Sequence, residues 1–114
     1  MAVNQETPVG ILPEDAELVR AVLAGDRSAY GTLYDRYVRL IEAVCFDWTR
    51  DVGEAQDLCQ DAFLLGFQRL GTLPRPDRYA LWMVGVARRV CRDWRRARRR
   101  EKVRIERVAD QQKN

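Results

Sequence analysis

Arginine and aromatic side chains are concentrated in one stretch of this sequence, Arg78 to Arg100 (RYALWMVGVARRVCRDWRRARRR). Its aromatic residues are Tyr79, Trp82 and Trp94. An arginine guanidinium binds phosphate through two parallel hydrogen bonds, and an aromatic ring stacks on an exposed base. The combination indicates a surface for nucleic acid, with bases out of the duplex. The competing interpretation is a solvated basic helix that tryptophans anchor in the core.

Enzymatic and metal-binding chemistry have little support in the composition. The chain contains no histidine, which removes the commonest general base. The chain has three cysteines, Cys45, Cys59 and Cys91, which are widely separated and form no CxxC pattern. An odd number at such spacing disfavours a zinc site or a disulfide framework. We interpret them as small buried apolar residues. The predictions are therefore no enzyme, no catalytic residue, no metal and no cofactor.

The length and composition indicate one globular, helical domain. The chain has 114 residues, of which 46% are hydrophobic and 32% are charged, which is enough for a single core. No apolar run reaches the length of a membrane span. The first residues, MAVNQETPVG, lack the basic and apolar regions of a signal peptide. We therefore expect a cytoplasmic protein without membrane insertion.

Charge is distributed unevenly along the chain. Residues 1–70 contain 6 Lys and Arg against 12 Asp and Glu, a net charge of −6. Residues 71–114 contain 14 against 5, a net charge of +9. An acidic half and a basic half predict two different partners, a basic one for the first half and a polyanion for the second.

Apolar periodicity predicts an all-α fold, a compact bundle of about four helices. The first helix extends from about Glu14 to Ala24, and the second has a cap at Asp26 or Ser28. The third begins with a capping box, Asp51-Val-Gly-Glu54, and ends near Leu70.

The fourth helix follows a turn, Gly71 to Arg78, that Pro74 and Pro76 stiffen. It is predicted to begin near Asp77 or Tyr79, with apolar residues on one side and arginines at i+3 and i+4 spacing on the other. The chain then divides into a flexible N-terminal arm (1–13), a helical domain (14–100), and a C-terminal linker or frayed helix end (101–114).

The third helix carries a polar face opposite its apolar face. Five residues recur on it at helical spacing: Glu54, Asp57, Gln60, Asp61 and Leu64. One interpretation is an ordinary solvated acidic face near a helix N-terminus, and the other is a docking surface for a basic partner helix. Nothing in the sequence buries or perturbs these carboxylates, so acid–base catalysis is not expected.

Four segments follow one another in an order typical of a known family. They are LVRAVLAGDRSAYGTLYDRYVRLI (Leu18–Ile41), DVGEAQDLCQDAFLLGF (Asp51–Phe67), YALWMVGVARR (Tyr79–Arg89) and RDWRRARRR (Arg92–Arg100). The second is close to an Asp/Glu-Leu-x-Gln-Asp/Glu-x-Phe signature. Together these segments resemble region 2 of the extracytoplasmic-function (ECF) sigma factors, the small specificity subunits of bacterial RNA polymerase. The resemblance covers about residues 14–100.

The resemblance implies a partner for each charged half. In the family, the third helix docks on the coiled-coil clamp helices of the polymerase β′ subunit, which here implicates the five residues of the acidic face. The family's turn and fourth helix bind the promoter −10 element, hold the non-template strand open and take at least one base out of the stack. By position, that role falls on Pro74, Arg75, Arg78, Tyr79, Arg88, Arg89, Arg92, Arg95, Arg96 and Arg99. Trp82 matches a position expected in the core. For Tyr79, a core position and a role in stacking on a base are both left open.

Two departures from the family pattern change what is expected. Arg89 stands where the family often has asparagine, which favours a phosphate contact there over base reading. The family's second helical domain, with its helix-turn-helix for the −35 element, does not fit in the 14 residues after Arg100. We therefore expect a shortened protein or a stand-alone region 2, with partial promoter recognition and weak, salt-sensitive DNA binding without polymerase.

Two functions remain open on the sequence. The first is a transcription initiation factor domain that bridges RNA polymerase to the opening promoter. The alternative is a helical protein-interaction module that serves mainly as the target of an anti-sigma factor, with its basic helix sequestered or solvated. The two differ in what the isolated chain itself binds.

Overall fold

A computed structural model describes residues 13–113, which form four α-helices: α1 (Asp15–Leu23), α2 (Arg27–Thr49), α3 (Val52–Gln68) and α4 (Tyr79–Lys113). Two 3₁₀ turns, Leu70–Thr72 and Pro76–Arg78, connect α3 to α4. No strand occurs in the described range, and the prediction of an all-α bundle of about four helices is confirmed. The predicted N-terminal arm lies outside the described residues, except for Pro13.

Side-chain caps set the starts of α2 and α3. Asp26 accepts a hydrogen bond from the backbone N–H of Ser28 (3.0 Å), and Asp51 accepts one from the backbone N–H of Glu54 (2.9 Å). Both predicted caps are thus confirmed. The reciprocal half of the predicted capping box is absent, because the Asp51 N–H donates to Thr49 Oγ1 (3.2 Å) and leaves the Glu54 carboxylate for another contact.

The hydrophobic core lies between α2, α3 and α4, and α1 packs across α2 and the turn before α4. Its fully buried side chains include Leu33, Ile41 and Met83. The three cysteines are also buried, as predicted. Burial raises the pKa of the Cys45 and Cys91 thiols, and it raises the pKa of Cys59 to about 11. These thiols therefore stay uncharged and fill space as apolar side chains.

Helices α3 and α4 approach each other closely at Gly66. A Cβ at this position would lie 2.9 Å from Sδ of Met83, so only glycine permits the observed spacing without a shift of that side chain. Beside it, the Tyr30 hydroxyl donates a hydrogen bond to the backbone carbonyl of Phe63. This packing sets how the outer face of α3 is oriented relative to that of α4.

Helix α4 is much longer than the bundle that supports it. Its 35 residues measure about 52 Å at the usual helical rise. Its buried residues end at Cys91, and every residue from Arg95 to Lys113 is exposed. The C-terminal segment was predicted as a linker or frayed helix end from residue 101, but α4 continues through it as regular helix to Lys113, because neither Gly nor Pro follows Gly85 to interrupt it. In the described range, no helix is both long enough and apolar enough to cross a bilayer.

Candidate functional site

The outer face of α3 is open to a partner. Asp57, Gln60 and Asp61 are exposed, and within residues 13–113 none of them makes an ion pair or a side-chain hydrogen bond. Leu64 continues the face with 59% of its surface exposed. The face is held rigidly because the opposite side of α3 is buried through residues such as Phe63. The structure therefore brings four of the five predicted residues together as an accessible acidic and apolar patch.

The fifth residue of that face, Glu54, is engaged differently. Its carboxylate lies 3.3 Å from a guanidinium nitrogen of Arg98 on α4. The pair is solvent-exposed on the arginine side, where 64% of the side-chain surface is accessible, so its contribution to stability is small. Glu54 thus marks the contact between the acidic helix and the basic one, a contact that the sequence did not predict.

A pocket of about 390 Å³ lies where the turn meets α4. It is lined by Leu73, Pro74, Arg75, Arg78, Leu81 and Trp82. The predicted residues Pro74, Arg75 and Arg78 are therefore brought together, with a 3.0 Å ion pair between Arg75 and Asp77 beside them. The pocket combines an aromatic ring and apolar walls with two guanidinium groups.

Sequence reasoning missed Leu81 and understated Trp82 in this pocket. Leu81 is 68% exposed, and it precedes Arg88 by seven residues and Arg92 by eleven, so it lies on the arginine side of α4. An apolar residue at a polar-face position was the available signal. Trp82 packs against the core, as expected, and also contributes to the pocket wall.

The outward arginines of α4 form a basic face that begins beside the pocket. Arg88, Arg89, Arg92 and Arg99 are exposed, and none has a carboxylate within 4.0 Å in residues 13–113. Arg96 is also exposed, and its 3.9 Å approach to Asp93 is loose. These guanidinium groups are free to bind phosphate.

Arg95 makes a contact within the protein. Its guanidinium carbon lies 4.2 Å from the centre of the Trp48 ring, at the end of α2, in a cation–π contact. The guanidinium of Arg98 lies over Trp94 in the same way, at 5.2 Å. The contact with Trp48 joins α4 to α2, whereas the contact between Arg98 and Trp94 lies within α4. The Arg95 guanidinium is therefore less available to an external partner than those of Arg92 and Arg96.

The predicted DNA contact of Tyr79 is not compatible with its position. The side chain is fully buried, and its ring packs between Tyr37 and Trp82, at centroid distances of 5.7 and 6.0 Å. The ring has no exposed face because α1 and α2 cover the beginning of α4, and it therefore cannot stack on a base. Burial also raises the pKa of the Tyr79 phenol, whose hydroxyl has no hydrogen-bond partner within the described residues.

Residues 33–101, more than half of the chain, match the family model described as Sigma-70 region 2. This range includes the acidic face of α3, the pocket and most of the arginine face. The chain belongs to the sigma-70 region 2 family. The resemblance to ECF sigma factors that the four segments indicated is confirmed.

Relatives within this sigma-factor family share about a third of the aligned residues. The chain is 36% identical over 76 residues to the probable RNA polymerase sigma factor RfaY of Xanthomonas campestris pv. campestris, covering 67% of this chain and 19% of that protein. It is 32% identical over 78 residues to the ECF RNA polymerase sigma factor BldN of Streptomyces coelicolor, covering 68% and 30%. The RNA polymerase sigma-H factor of Pseudomonas aeruginosa is 30% identical over 74 residues, covering 65% and 38%. The chain thus spans well under half the length of these relatives. No solved structure gives a significant match.

Proposed function

We propose that this chain acts in transcription initiation as the region 2 domain of an ECF sigma factor. In this proposal, α3 docks on the β′ clamp helices of RNA polymerase, and the pocket and α4 bind the non-template strand of the promoter −10 element and help to melt it. Family membership supports the general role, and the names of the relatives supply RNA polymerase as the partner. The residue assignments rest on the geometry of the two faces.

The docking role is supported by the composition of the α3 face. Asp57 and Asp61 are four residues apart, on one side of a rigid helix, and neither is neutralised within residues 13–113. Leu64 adds exposed apolar surface next to them. Carboxylates around an apolar contact suit a basic partner helix, since charge orients the encounter and apolar burial holds the complex.

The DNA-binding role is carried by one observation, the pocket beside the basic face. Its lining is mostly apolar, with Trp82 among its walls, and it also includes the side chains of Arg75 and Arg78. Taking a base out of the stack costs a few kcal/mol, which apolar and stacking contacts in a pocket offset while arginines hold the flanking phosphates. From the pocket, the strand would continue along Arg88, Arg92 and Arg96.

The test measures both activities on the same variants of the full chain. Replacing Asp57 and Asp61 with arginine should abolish capture of core RNA polymerase and leave the affinity for single-stranded −10-like DNA within about twofold, since the two faces are separate. Replacing Arg92 and Arg96 with alanine should do the reverse, and should lower the salt slope of DNA binding by about one to two units. Unchanged polymerase capture by the Asp57/Asp61 variant would show that the docking surface lies elsewhere.

A second candidate function, the target of an anti-sigma factor, is favoured by a groove between α2 and α4. The groove measures about 790 Å³, and its apolar lining includes Trp48, Trp94 and Ile105. Ile105 is 56% exposed, which suits a protein contact better than solvent. This candidate gains if the full chain binds neither core polymerase nor −10-like DNA at low salt.

A further inference from the structure

The end of α4 carries a second basic surface that the pocket and the −10 strand do not use. We call it the distal segment and define it as residues 97–107. All of its residues are exposed, and the helix continues past the bundle, in a molecule whose longest dimension is 81 Å against 26 and 19 Å. The segment is therefore accessible from most directions.

Four arginines of the distal segment line a groove together with Val103. A groove of about 460 Å³ is lined by Arg99, Arg100, Val103, Arg104 and Arg107. Within residues 13–113, only Arg104 among these arginines has a carboxylate partner, Glu101. Like charges three and four residues apart on a helix repel one another. Such a cluster costs stability by itself, and a bound polyanion would relieve that cost.

The side chains of the segment favour duplex over single-stranded nucleic acid. No aromatic residue follows Trp94 in the sequence, so the segment offers no ring on which an unpaired base could stack. At 100° per residue, Arg99 lies to one side of Val103, while Arg100 and Arg104 lie to the other. Arginines on both flanks match the two backbones of a duplex, whereas a single strand has one.

The dimensions of the helix agree with this arrangement. An α-helix with its side chains is about 10–12 Å wide, and the major groove of B-DNA is about 12 Å wide. Val103, which is 45% exposed, would then face the floor of the groove, where an apolar side chain can meet a thymine methyl group.

We infer that the distal segment of α4 binds duplex DNA in the major groove, with arginines on both sides of Val103 contacting the two phosphate backbones. This surface goes beyond the proposed binding of the melted −10 strand. It adds a contact to paired DNA, and the two activities can be lost separately.

The test uses the full chain and two fluorescent DNA probes of the same sequence, a duplex of about 20 base pairs and its single strand. The variant carries alanine at Arg100, Arg104 and Arg107, since alanine is the strongest helix former and preserves the segment. The control variant carries alanine at Arg20, Arg39 and Arg69, three exposed arginines outside α4, and has the same net charge. Circular dichroism verifies the helix content of both.

We expect the distal variant to lose about tenfold or more in duplex affinity at low salt, and its salt slope to fall by about two to three units, because each phosphate contact contributes about 0.9. Its affinity for the single strand should change by less than about threefold, as should both affinities of the control. A second variant, Val103→Glu, keeps every arginine and can pair with Arg99 and Arg107, so its helix is secure. It should nevertheless weaken duplex binding by about fivefold or more, since its carboxylate faces the groove.

Three results would overturn the inference. If the distal variant binds the duplex within about twofold of the parent, the distal segment does not contact duplex DNA. The proposed −10 function would still stand in that case if Arg92→Ala with Arg96→Ala weakens single-strand binding. Equal losses on duplex and single strand would show a general anion surface. Equal losses in the control variant would show that only net charge matters.

Discussion

The exposed faces of α3 and α4 are built differently, although the two helices pack side by side. Helix α3 is supported by the core along its length and exposes a few short acidic side chains next to Leu64. Helix α4 has no buried residue after Cys91, and long, exposed arginines are frequent from that point on.

The difference agrees with the partners that we propose for the two faces. A protein partner needs a fixed shape with apolar contacts, and short side chains on a supported helix provide it. A polyanion is attracted by charge over about 8–10 Å at physiological salt, so long flexible side chains on a projecting helix are adequate. The two faces are separate, but the helices that carry them are joined by the ion pair between Glu54 and Arg98.

The largest effect is expected from a change to the apolar part of the α3 face. Leu64→Asp should weaken capture of core polymerase by about tenfold or more, because a leucine that becomes buried is worth about 1.5–3 kcal/mol. Titrated pull-down with purified core enzyme measures it, with single-strand DNA affinity as the second readout. Leu23→Asp is the matched control, since Leu23 is 55% exposed on α1. Equal losses in the two variants would mean that the α3 face has no special role.

The next effect concerns Tyr79, which was predicted to contact DNA but is buried in the core of the structure. Tyr79→Phe should raise the free energy of unfolding by about 1 kcal/mol, because a buried hydroxyl without a partner is removed. Single-strand DNA affinity should stay within about twofold, as expected for a side chain that touches no base. Urea unfolding and fluorescence anisotropy give the two values, and a clear loss of DNA affinity would return Tyr79 to the DNA surface.

The same substitution has a pH dependence of known sign. The folded-state pKa of Tyr79 is raised above the ordinary value of 10.0, mainly by burial. The stability that depends on the neutral phenol is therefore intact below pH 10 and decreases as the pH rises above it, because the unfolded chain loses the proton first. Unfolding curves between pH 9 and pH 11 should thus show a widening advantage for Tyr79→Phe, and a constant difference would contradict the burial.

A smaller effect separates two arginines of the basic face. Arg95→Ala should lower the free energy of unfolding by about 0.5–1 kcal/mol through loss of the contact with Trp48. Its effect on single-strand DNA affinity should be smaller than that of Arg92→Ala, which removes an arginine without a protein partner in the described range. Parallel thermal unfolding and salt-dependent anisotropy compare them, and the opposite ranking would place Arg95 among the DNA contacts.

The smallest effect tests whether the two faces are coupled. A double-mutant cycle with Glu54→Gln and Arg98→Gln should give an interaction energy of about 0.2–1 kcal/mol, the range of exposed ion pairs. Polymerase capture and DNA binding should then respond independently to the two single changes. A coupling above this range would show that occupation of one face alters the other.

Local features of this protein were predictable from its sequence. Apolar periodicity located the helices. Asp26 and Asp51 cap two of them, because each places a carboxylate oxygen next to a backbone N–H that has no partner within the helix. The separation of acidic and basic halves, and the order of motifs that identifies the family, are also properties of the chain alone. These features depend on neighbours within a few residues.

Only the tertiary structure decided which of those side chains are available. Tyr79 was balanced between core and surface until the packing of α1 and α2 against α4 buried it. Leu81 and Trp82 form a pocket only because the turn folds back beside them. Arg95 differs from Arg92 because Trp48, 47 residues earlier in the chain, lies beneath it. Residue type and spacing set the chemistry that each helix offers, but the angle at which helices pack determines which side chains can reach a partner.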